Sequence, residues 1–458
     1  MTVSDDTLTI FMYPWFGMGH LTPYLLTANK LATRGHKVFI VVPPKAQSKL
    51  HPLNLHPDLI HFIPISLPRV DGLRPDAQTT NDATIGETDL LLHALDLTQP
   101  AIESMLRDLK PHFVFFDFMH WLPALVRRLG LGTKTVYYSA VNPAAVGFLL
   151  AQGSSVEDLM NGPPGFPPSM KLYKHAALEL KWFTTARESR SGMTRRQRVM
   201  NGMCESDAIG FKTCKETEGV YCQFLENKLK KPILLAGPMV PKLQSNSTLE
   251  LEEKWATWLA KFKPKTVILC SFGSENFVEK DQYQQLLLGL ELTGLPFVVA
   301  MKPPPGVDSI EEALPNGFKE RIGERGFAYG GWIPQAQILN HPNVGCFVTH
   351  CGYGSSWEGL MSECQLVLLP VRGDPYVNAK WLSGDLGVGV EVEKGDEDGW
   401  FSKEAVCEAV MAAMGDESEV GKRVRAKHDE WRKLLFGQGF EDAYLDHFIH
   451  DLSALYAK

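Results

Sequence analysis

The chain has 458 residues, 44% hydrophobic and 22% charged, enough apolar content at this length for two domains with substantial cores. A formal net charge of −7 leaves no electrostatic footprint for a polyanion, so no nucleic-acid partner is expected. Eight cysteines without a CxxC pair and fourteen histidines without zinc spacing imply reduced thiols, a cytoplasmic location and no structural metal.

The opening stretch "MTVSDDTLTIFMYPWF" carries acids where a secretory leader carries bases, and its apolar run is only strand-length. No later run reaches the roughly 18 apolar residues of a membrane span. Strands are expected over 8–13, 37–42, 59–65, 112–116 and 133–138, each a short run rich in β-branched or aromatic residues. Helical patterns fall between them, as over 21–33 and 89–109. The loop "NGPPGFPPS" (161–169) is too rich in proline for helix or strand and is expected to hang over a cleft. The run Arg187, Arg190, Arg195, Arg196, Arg198 reads as the solvated face of a helix. "PMVPKLQSNSTLE" (238–250) suits a linker, and its Asn246-Ser247-Thr248 sequon carries little weight without a secretory leader. The rhythm then repeats, with strands over 266–272, 297–301, 344–349 and 366–369. Alternating βα units predict an α/β protein of two doubly wound domains, each binding ligands at the C-terminal ends of its strands.

The chemistry-bearing residues cluster at those strand ends. "GMGHLTP" (17–23) imitates the dinucleotide fingerprint, but Thr22 replaces the third glycine and no acidic residue follows on the next strand, which argues against a nicotinamide cofactor. The same turn puts His20 at a helix N-terminus, where the dipole favours neutral imidazole, so His20 is either a general base for a hydroxyl or a helix cap. Asp117 ends the apolar strand of "HFVFFDFMHW" and needs a hydrogen-bond partner there. It either orients His20, as the carboxylate of a catalytic triad would, or caps the next helix.

In the second half, "CSFGSE" (270–275) turns at Gly273 and Ser274, a weak phosphate signal. "FVTHCGYGSSWEGL" (347–360) is stronger. A strand runs into a helix expected to begin near Ser355, with Gly352 and Gly354 between, so backbone N–H groups, His350 and the Ser355 hydroxyl can meet a diphosphate. Glu358 can accept both hydroxyls of a ribose, Trp332 offers a flat face to a base with Gln335 beside it, and Asp374 can receive sugar hydroxyls. Base, ribose, diphosphate and sugar are served in order, so the ligand reads as a nucleotide sugar.

With these residues in view, the 44 residues from Trp332 to Pro375 resemble the donor-binding signature of plant UDP-dependent glycosyltransferases. Trp332, Pro334, Gln335, His341, Gly345, His350, Cys351, Gly352, Ser355, Glu358, Pro370 and Asp374 are all in register. "GMGHLTP", "DFMHWLP", "GFKTCKETEG" and "CSFGSE" extend the likeness over nearly the whole chain. The resemblance implies a GT-B fold, two facing Rossmann-like domains with a cleft between them. It divides the chain into an acceptor-binding domain (1–240, joined by a C-terminal helix over 438–458), a linker (241–250) and a UDP-sugar-binding domain (251–437).

It also implies a monomer performing metal-independent, inverting transfer from a UDP-sugar, with no cofactor beyond that donor. His20 and Asp117 then become base and partner. Gly19, Ser274, Trp332, Ile333, Gln335, His350, Gly352, Gly354, Ser355, Glu358, Asp374 and Pro375 become donor contacts. The acceptor pocket is expected from Trp15, Phe118, His120, Ser139 to Asn142 and Pro163 to Pro168, apolar and aromatic enough for a flat aglycone. Tyr353-Gly354 replaces the usual Trp-Asn and Pro375 the usual Gln. "HCGYGSSWE" with "DFMHWLP" resembles the subgroup that elongates glycosides of flavonoids, anthocyanins and terpenoids. Direct glycosylation of an aglycone and a catalytically silent UDP-sugar binder are the alternatives.

Overall fold

The computed structural model describes residues 7–150, 155–238, 251–273 and 276–458. The expected linker over 241–250, the Asn246 sequon and Ser274 lie outside them. The described chain packs as two units, one of residues 7–150, 182–238 and 439–458, the other of 155–181, 251–273 and 276–438.

The first unit is built on seven strands, β1 (Thr9–Tyr13), β2 (Lys37–Val42), β3 (Ile60–Pro64), β4 (Phe113–Phe116), β5 (Lys134–Ser139), β6 (Ala208–Phe211) and β7 (Ile233–Leu235). They lie in the order β3-β2-β1-β4-β5-β6-β7 and every pair is parallel. All four residues of β4 are buried, as a parallel sheet covered on both faces requires. The expected helix over 89–109 is two helices, Thr88–Asp96 and Gln99–Leu109, because Pro100 cannot continue the first and is accommodated in the opening turn of the second. The C-terminal helix Phe440–Tyr456 packs in this unit, with Phe448 against Phe115 and Tyr138 and with Asp442 and Asp446 paired to Arg34.

The second unit holds six parallel strands, β8 (Val267–Ser271), β9 (Phe297–Ala300), β10 (Gly326–Tyr329), β11 (Val344–Thr349), β12 (Gln365–Leu368) and β13 (Gly389–Glu391), in the order β10-β9-β8-β11-β12-β13. Renumbered from β8 this is the 3-2-1-4-5-6 order of the Rossmann fold. The register of β8 on β11 shifts between Val344 and Cys346. Gly345 permits it, since a Cβ there would collide with the carbonyl of Lys265. Strands β6, β7, β10 and β13, of three or four residues each, were not expected from the sequence.

Residues 155–181, expected in the N-terminal domain, pack in the second unit. The Ser169 hydroxyl bonds Asp385, the His175 amide donates to the Asp396 carbonyl at 2.9 Å, and Lys174 pairs with Glu397 at 2.7 Å. The proline-rich loop is thus held by the second unit at Ser169. Among the described residues no helix is long and apolar enough to cross a membrane.

In each sheet the strand order reverses once, between β1 and β4 and between β8 and β11, and at such switch points the loops diverge to leave a crevice.

Candidate active site and donor-binding region

The switch point of the first unit brings together the two loops that carry His20 and Asp117. Tyr13, the last residue of β1, is in register with Phe116, the last of β4, so the loops that follow leave the sheet side by side. Asp117 is buried, and its Oδ1 accepts the backbone N–H groups of Trp15 and Phe118, both at 2.7 Å. Its Oδ2 lies 2.6 Å from His20 Nδ1. An ionised carboxylate only accepts, so Nδ1 carries the ring proton and Nε2 keeps a lone pair for a proton from outside the pair.

Both helix-cap readings are set aside by this geometry. The helix bearing His20 begins at Met18 with Gly17 as its cap, and the helix after Asp117 begins at Leu122 with Trp121 as its cap. His20 is in the first turn, near the positive end of the helix dipole, and its side chain is 16% exposed. Phe118 meets it edge-on at 5.6 Å and tilts against Trp15 at 5.7 Å, so an aromatic wall adjoins the imidazole. Gly19 beside it is exposed.

The other residues expected to touch an acceptor are distributed differently. Ser139 is buried, and its hydroxyl donates to the Val141 carbonyl while accepting the Val141 N–H. Asn142 is buried too; its Oδ1 accepts the Ala144 N–H at 2.6 Å, and its Nδ2 has no partner among the described residues. These two side chains shape the turn after β5. His120 is half-buried and its Nδ1 lies 2.9 Å from a guanidinium nitrogen of Arg198.

That contact corrects the reading of the arginine run as a solvated face at Arg198, whereas Arg187 and Arg190 are exposed as expected. Arg187 and Arg190 precede the helix Arg195–Glu205, and Arg198 is only 1% exposed. Its guanidinium donates to Glu188 and Asp96, each through two bonds of 2.7 or 2.8 Å. Burial opposes the charge, yet the hydrogen bonds to Glu188 and Asp96 raise the Arg198 pKa above its ordinary value. No local signal revealed this, since Asp96 lies about a hundred residues before Arg198 and one charge pattern on a helix does not distinguish a buried face from a wet one.

In the second unit the switch point assembles the turn expected to receive a diphosphate. Chain direction reverses at Cys351, a non-glycine residue held at φ 65° with its amide on the Thr349 hydroxyl. The helix that follows is Tyr353–Met361, capped by Gly352, so it starts two residues before the expected Ser355. Its first turn contains no acidic residue. His350 is buried against Gly273 and Gly352, where a Cβ at either position would press on the imidazole. Burial lowers the His350 pKa to about 4, with a countervailing contribution from the Ser271 carbonyl 3.4 Å from Nδ1. Gly354 faces open space.

Gln335 opens the short helix after β10, and its Nε2 donates to Glu358 at 2.7 Å and to the Ser355 hydroxyl at 3.1 Å. The three side chains expected to contact ribose and phosphate therefore form one network. Trp332 is 69% exposed, an indole face open to stacking, while Ile333 is buried and can offer a ligand only main-chain groups. Asp374 is tied to the turn at Cys351 through Asn378, whose Nδ2 donates to Asp374 Oδ2 at 3.0 Å and to the Cys351 carbonyl at 2.9 Å. Asn378 was missed although its signal was present, four residues after Asp374 and hence on the same helix face. Pro375 is buried at the first position of the helix Pro375–Lys380. Glu179, also missed, accepts the Gly373 N–H at 3.2 Å and steadies the loop before Asp374.

Two Rossmann-type units, one with a His–Asp pair and one with an aromatic, amide, carboxylate and glycine-turn constellation at its switch point, define a nucleotide-sugar transferase of the GT-B class. Residues 323–423 match the UDP-glucoronosyl and UDP-glucosyl transferase family. The chain is 47% identical to an anthocyanidin 3-O-glucoside 2''-O-glucosyltransferase of Ipomoea nil, with 98% of each chain covered. It is equally similar, at 47%, to a cyanidin 3-O-galactoside 2''-O-xylosyltransferase of Actinidia chinensis var. chinensis, over 98% of this chain and 99% of that one. A solved Glycyrrhiza uralensis structure, UGT73P12 complexed with glycyrrhetinic acid 3-O-monoglucuronide, superposes with a TM-score of 0.81 at 21% identity, covering 98% of this chain and 96% of that one. The chain belongs to family 1 of the plant UDP-glycosyltransferases, and it is a UDP-sugar-dependent glycosyltransferase.

Proposed function

We propose that the enzyme elongates an existing glycoside, transferring a sugar from a UDP-sugar to a hydroxyl on the sugar of a flavonoid or anthocyanin 3-O-glycoside, with the 2''-hydroxyl as the favoured site. The observation that carries this reading is end-to-end identity of 47% with relatives named for transfer to the 2'' position of anthocyanidin and cyanidin glycosides. "HCGYGSSWE" and "DFMHWLP" support it from the residues.

In the mechanism, the first unit supplies the base and the acceptor contacts and the second the donor contacts. His20 Nε2 takes the proton of the acceptor hydroxyl while Asp117, desolvated and already holding Nδ1–H, stabilises the imidazolium that forms. The deprotonating oxygen attacks the anomeric carbon from the face opposite the diphosphate, the C–O bond to UDP breaks, and the configuration inverts. Trp332 stacks on the uracil, Gln335 and Glu358 hold the ribose, and the turn at 350–355 with the start of the helix Tyr353–Met361 receives the diphosphate, with no metal required. Asp374 accepts the sugar hydroxyls. The eight cysteines are all free thiols, in keeping with cytoplasmic residence, and the monomer is the working form in this reading.

A mass-spectrometric screen of UDP-glucose, UDP-xylose and UDP-rhamnose against flavonoid and triterpene aglycones and their monoglycosides tests the proposal. Diglycosides from monoglycosides are expected. Products from aglycones alone overturn it, and no product in any combination revives the silent binder.

A further inference from the structure

The turn after β4 holds an imidazole whose tautomer is set from behind. His120 lies three residues beyond Asp117, and Phe118, between them, packs edge-on against His20. Behind His120 is the buried Arg198 guanidinium. Its Nε donates to Glu188, one terminal nitrogen to Glu188 and Asp96, and the other to Asp96 at 2.8 Å, His120 Nδ1 at 2.9 Å and the Phe118 carbonyl at 3.3 Å. Each acid is fixed in turn. Asp96 Oδ1 also accepts the Trp121 indole N–H at 3.0 Å, and Glu188 Oε2 accepts the Ser191 hydroxyl at 2.5 Å.

A guanidinium can only donate, and it stays charged at any pH a folded protein meets. His120 Nδ1 must therefore accept, which forces the ring's proton onto Nε2 and disfavours a second one. Burial, followed by the Arg198 charge, lowers the His120 pKa against the opposing influence of Asp96 and Glu188. On the opposite edge, Nε2 makes no hydrogen bond among the described residues. A neutral histidine in solution exchanges between tautomers and can donate or accept at either nitrogen; this one is committed.

We propose that Arg198 is a positioning residue for acceptor recognition, holding His120 as the Nε2–H tautomer so that the imidazole donates a hydrogen bond to an oxygen of the acceptor. The inference rests on the reading that the first unit binds the acceptor. His20 and His120 are then complementary, one imidazole held by a carboxylate to take a proton and the other held by a guanidinium to offer one. An acceptor with a sugar hydroxyl or an aglycone carbonyl at that point is accepted, and one presenting only a carbon there leaves the Nε2–H unpaired.

Histidine-selective nitrogen NMR on the full chain, with His120 assigned by substitution, reads the tautomer directly. A neutral Nε2–H ring from pH 6 to 8 is expected, and an Nδ1–H ring overturns the proposal. Two substitutions separate recognition from folding. His120→Asn keeps an acceptor for Arg198 but loses the distal donor, and KM for the acceptor is expected to rise by about tenfold to hundredfold with the melting temperature preserved. His120→Gln, whose amide reaches the position of Nε2, is expected to keep KM nearer that of the wild type. An acceptor KM for His120→Asn within twofold of wild type overturns the proposal.

Running the series on a flavonol monoglycoside and on its aglycone shows which oxygen is read: a KM change confined to the glycoside assigns a sugar hydroxyl, and a change on both assigns the aglycone. Failure of the functional reading appears separately, as wild-type enzyme that converts no glycoside.

Discussion

His20 Nδ1 and Asp117 Oδ2 stand 2.6 Å apart, with Asp117 Oδ1 already saturated by two backbone N–H groups, so the carboxylate is committed to orienting the imidazole. His20→Ala is expected to lower turnover by about 10²- to 10⁴-fold, the usual worth of general-base catalysis, with UDP affinity close to that of the wild type. Asp117→Asn keeps the shape but removes the charge that stabilises imidazolium, and turnover is expected to fall there as well. Steady-state kinetics beside UDP titration calorimetry check both. Turnover of His20→Ala within threefold of wild type removes His20 from the mechanism.

His350 gives the donor region a pH signature. In the protein without donor its pKa is about 4, and Nδ1 faces a carbonyl, so the neutral ring has no proton on Nε2 to give a phosphate. A diphosphate beside the ring favours imidazolium and raises the pKa in the complex. Between the two pKa values binding takes up protons, so UDP-glucose affinity is expected to increase as pH falls from 7 towards 5. Calorimetry at pH 6 in two buffers of different ionisation enthalpy measures the uptake. Equal apparent enthalpies in wild type, or uptake that persists in His350→Gln, show that this ring does not sense the diphosphate.

The two glycines of the 352–354 turn are expected to respond in opposite ways to the same added methyl group. A Cβ at Gly352 collides with His350 Nε2, so Gly352→Ala should weaken UDP binding by displacing that ring. Gly354 lies within the helix Tyr353–Met361 and meets nothing within 4 Å, so Gly354→Ala should gain up to about 1 kcal/mol of stability from helix propensity. Thermal melts with and without UDP distinguish the cases; a lower melting temperature for Gly354→Ala in the absence of UDP contradicts the assignment.

Pro375 starts the helix Pro375–Lys380 in the position proline favours, and it lacks the amide with which the family's usual glutamine could bond a sugar hydroxyl. A lost hydrogen bond of about 1 to 3 kcal/mol shifts donor preference by roughly tenfold or more. Either a relaxed donor range or a preference for UDP-xylose or UDP-rhamnose is expected in competition with UDP-glucose, and Pro375→Gln should move the ratio towards glucose. Near-exclusive use of UDP-glucose, unchanged by the substitution, shows that position 375 does not read the sugar.

What was legible in the sequence was whatever a strand end and its following turn encode locally. Asp117 at the end of "HFVFF", His20 after two glycines and the turn from His350 to Ser355 could be placed at strand ends from the sequence, because a polar residue that closes an apolar strand points to the ligand edge of a parallel sheet. Arg198 was misread because its partner Asp96 reaches it only through the tertiary fold, and helical spacing is the same on a buried face as on a wet one. The placement of 155–181 was missed for the same reason, since its anchors, Asp385, Asp396 and Glu397, lie more than two hundred residues away. Ser139 and Asn142 were correctly seen at a strand end, but their polar atoms chiefly build the turn itself.

The central claim is transfer to a sugar already present on the acceptor. The most direct measurement is a competition in which cyanidin and cyanidin 3-O-glucoside are supplied at equal concentration with UDP-glucose and, in a parallel reaction, with UDP-xylose, initial rates being followed by mass spectrometry and the linkage read by NMR. Faster conversion of the glucoside, with the new bond at its 2'' oxygen, is the expected result. Faster conversion of cyanidin itself with both donors would contradict it.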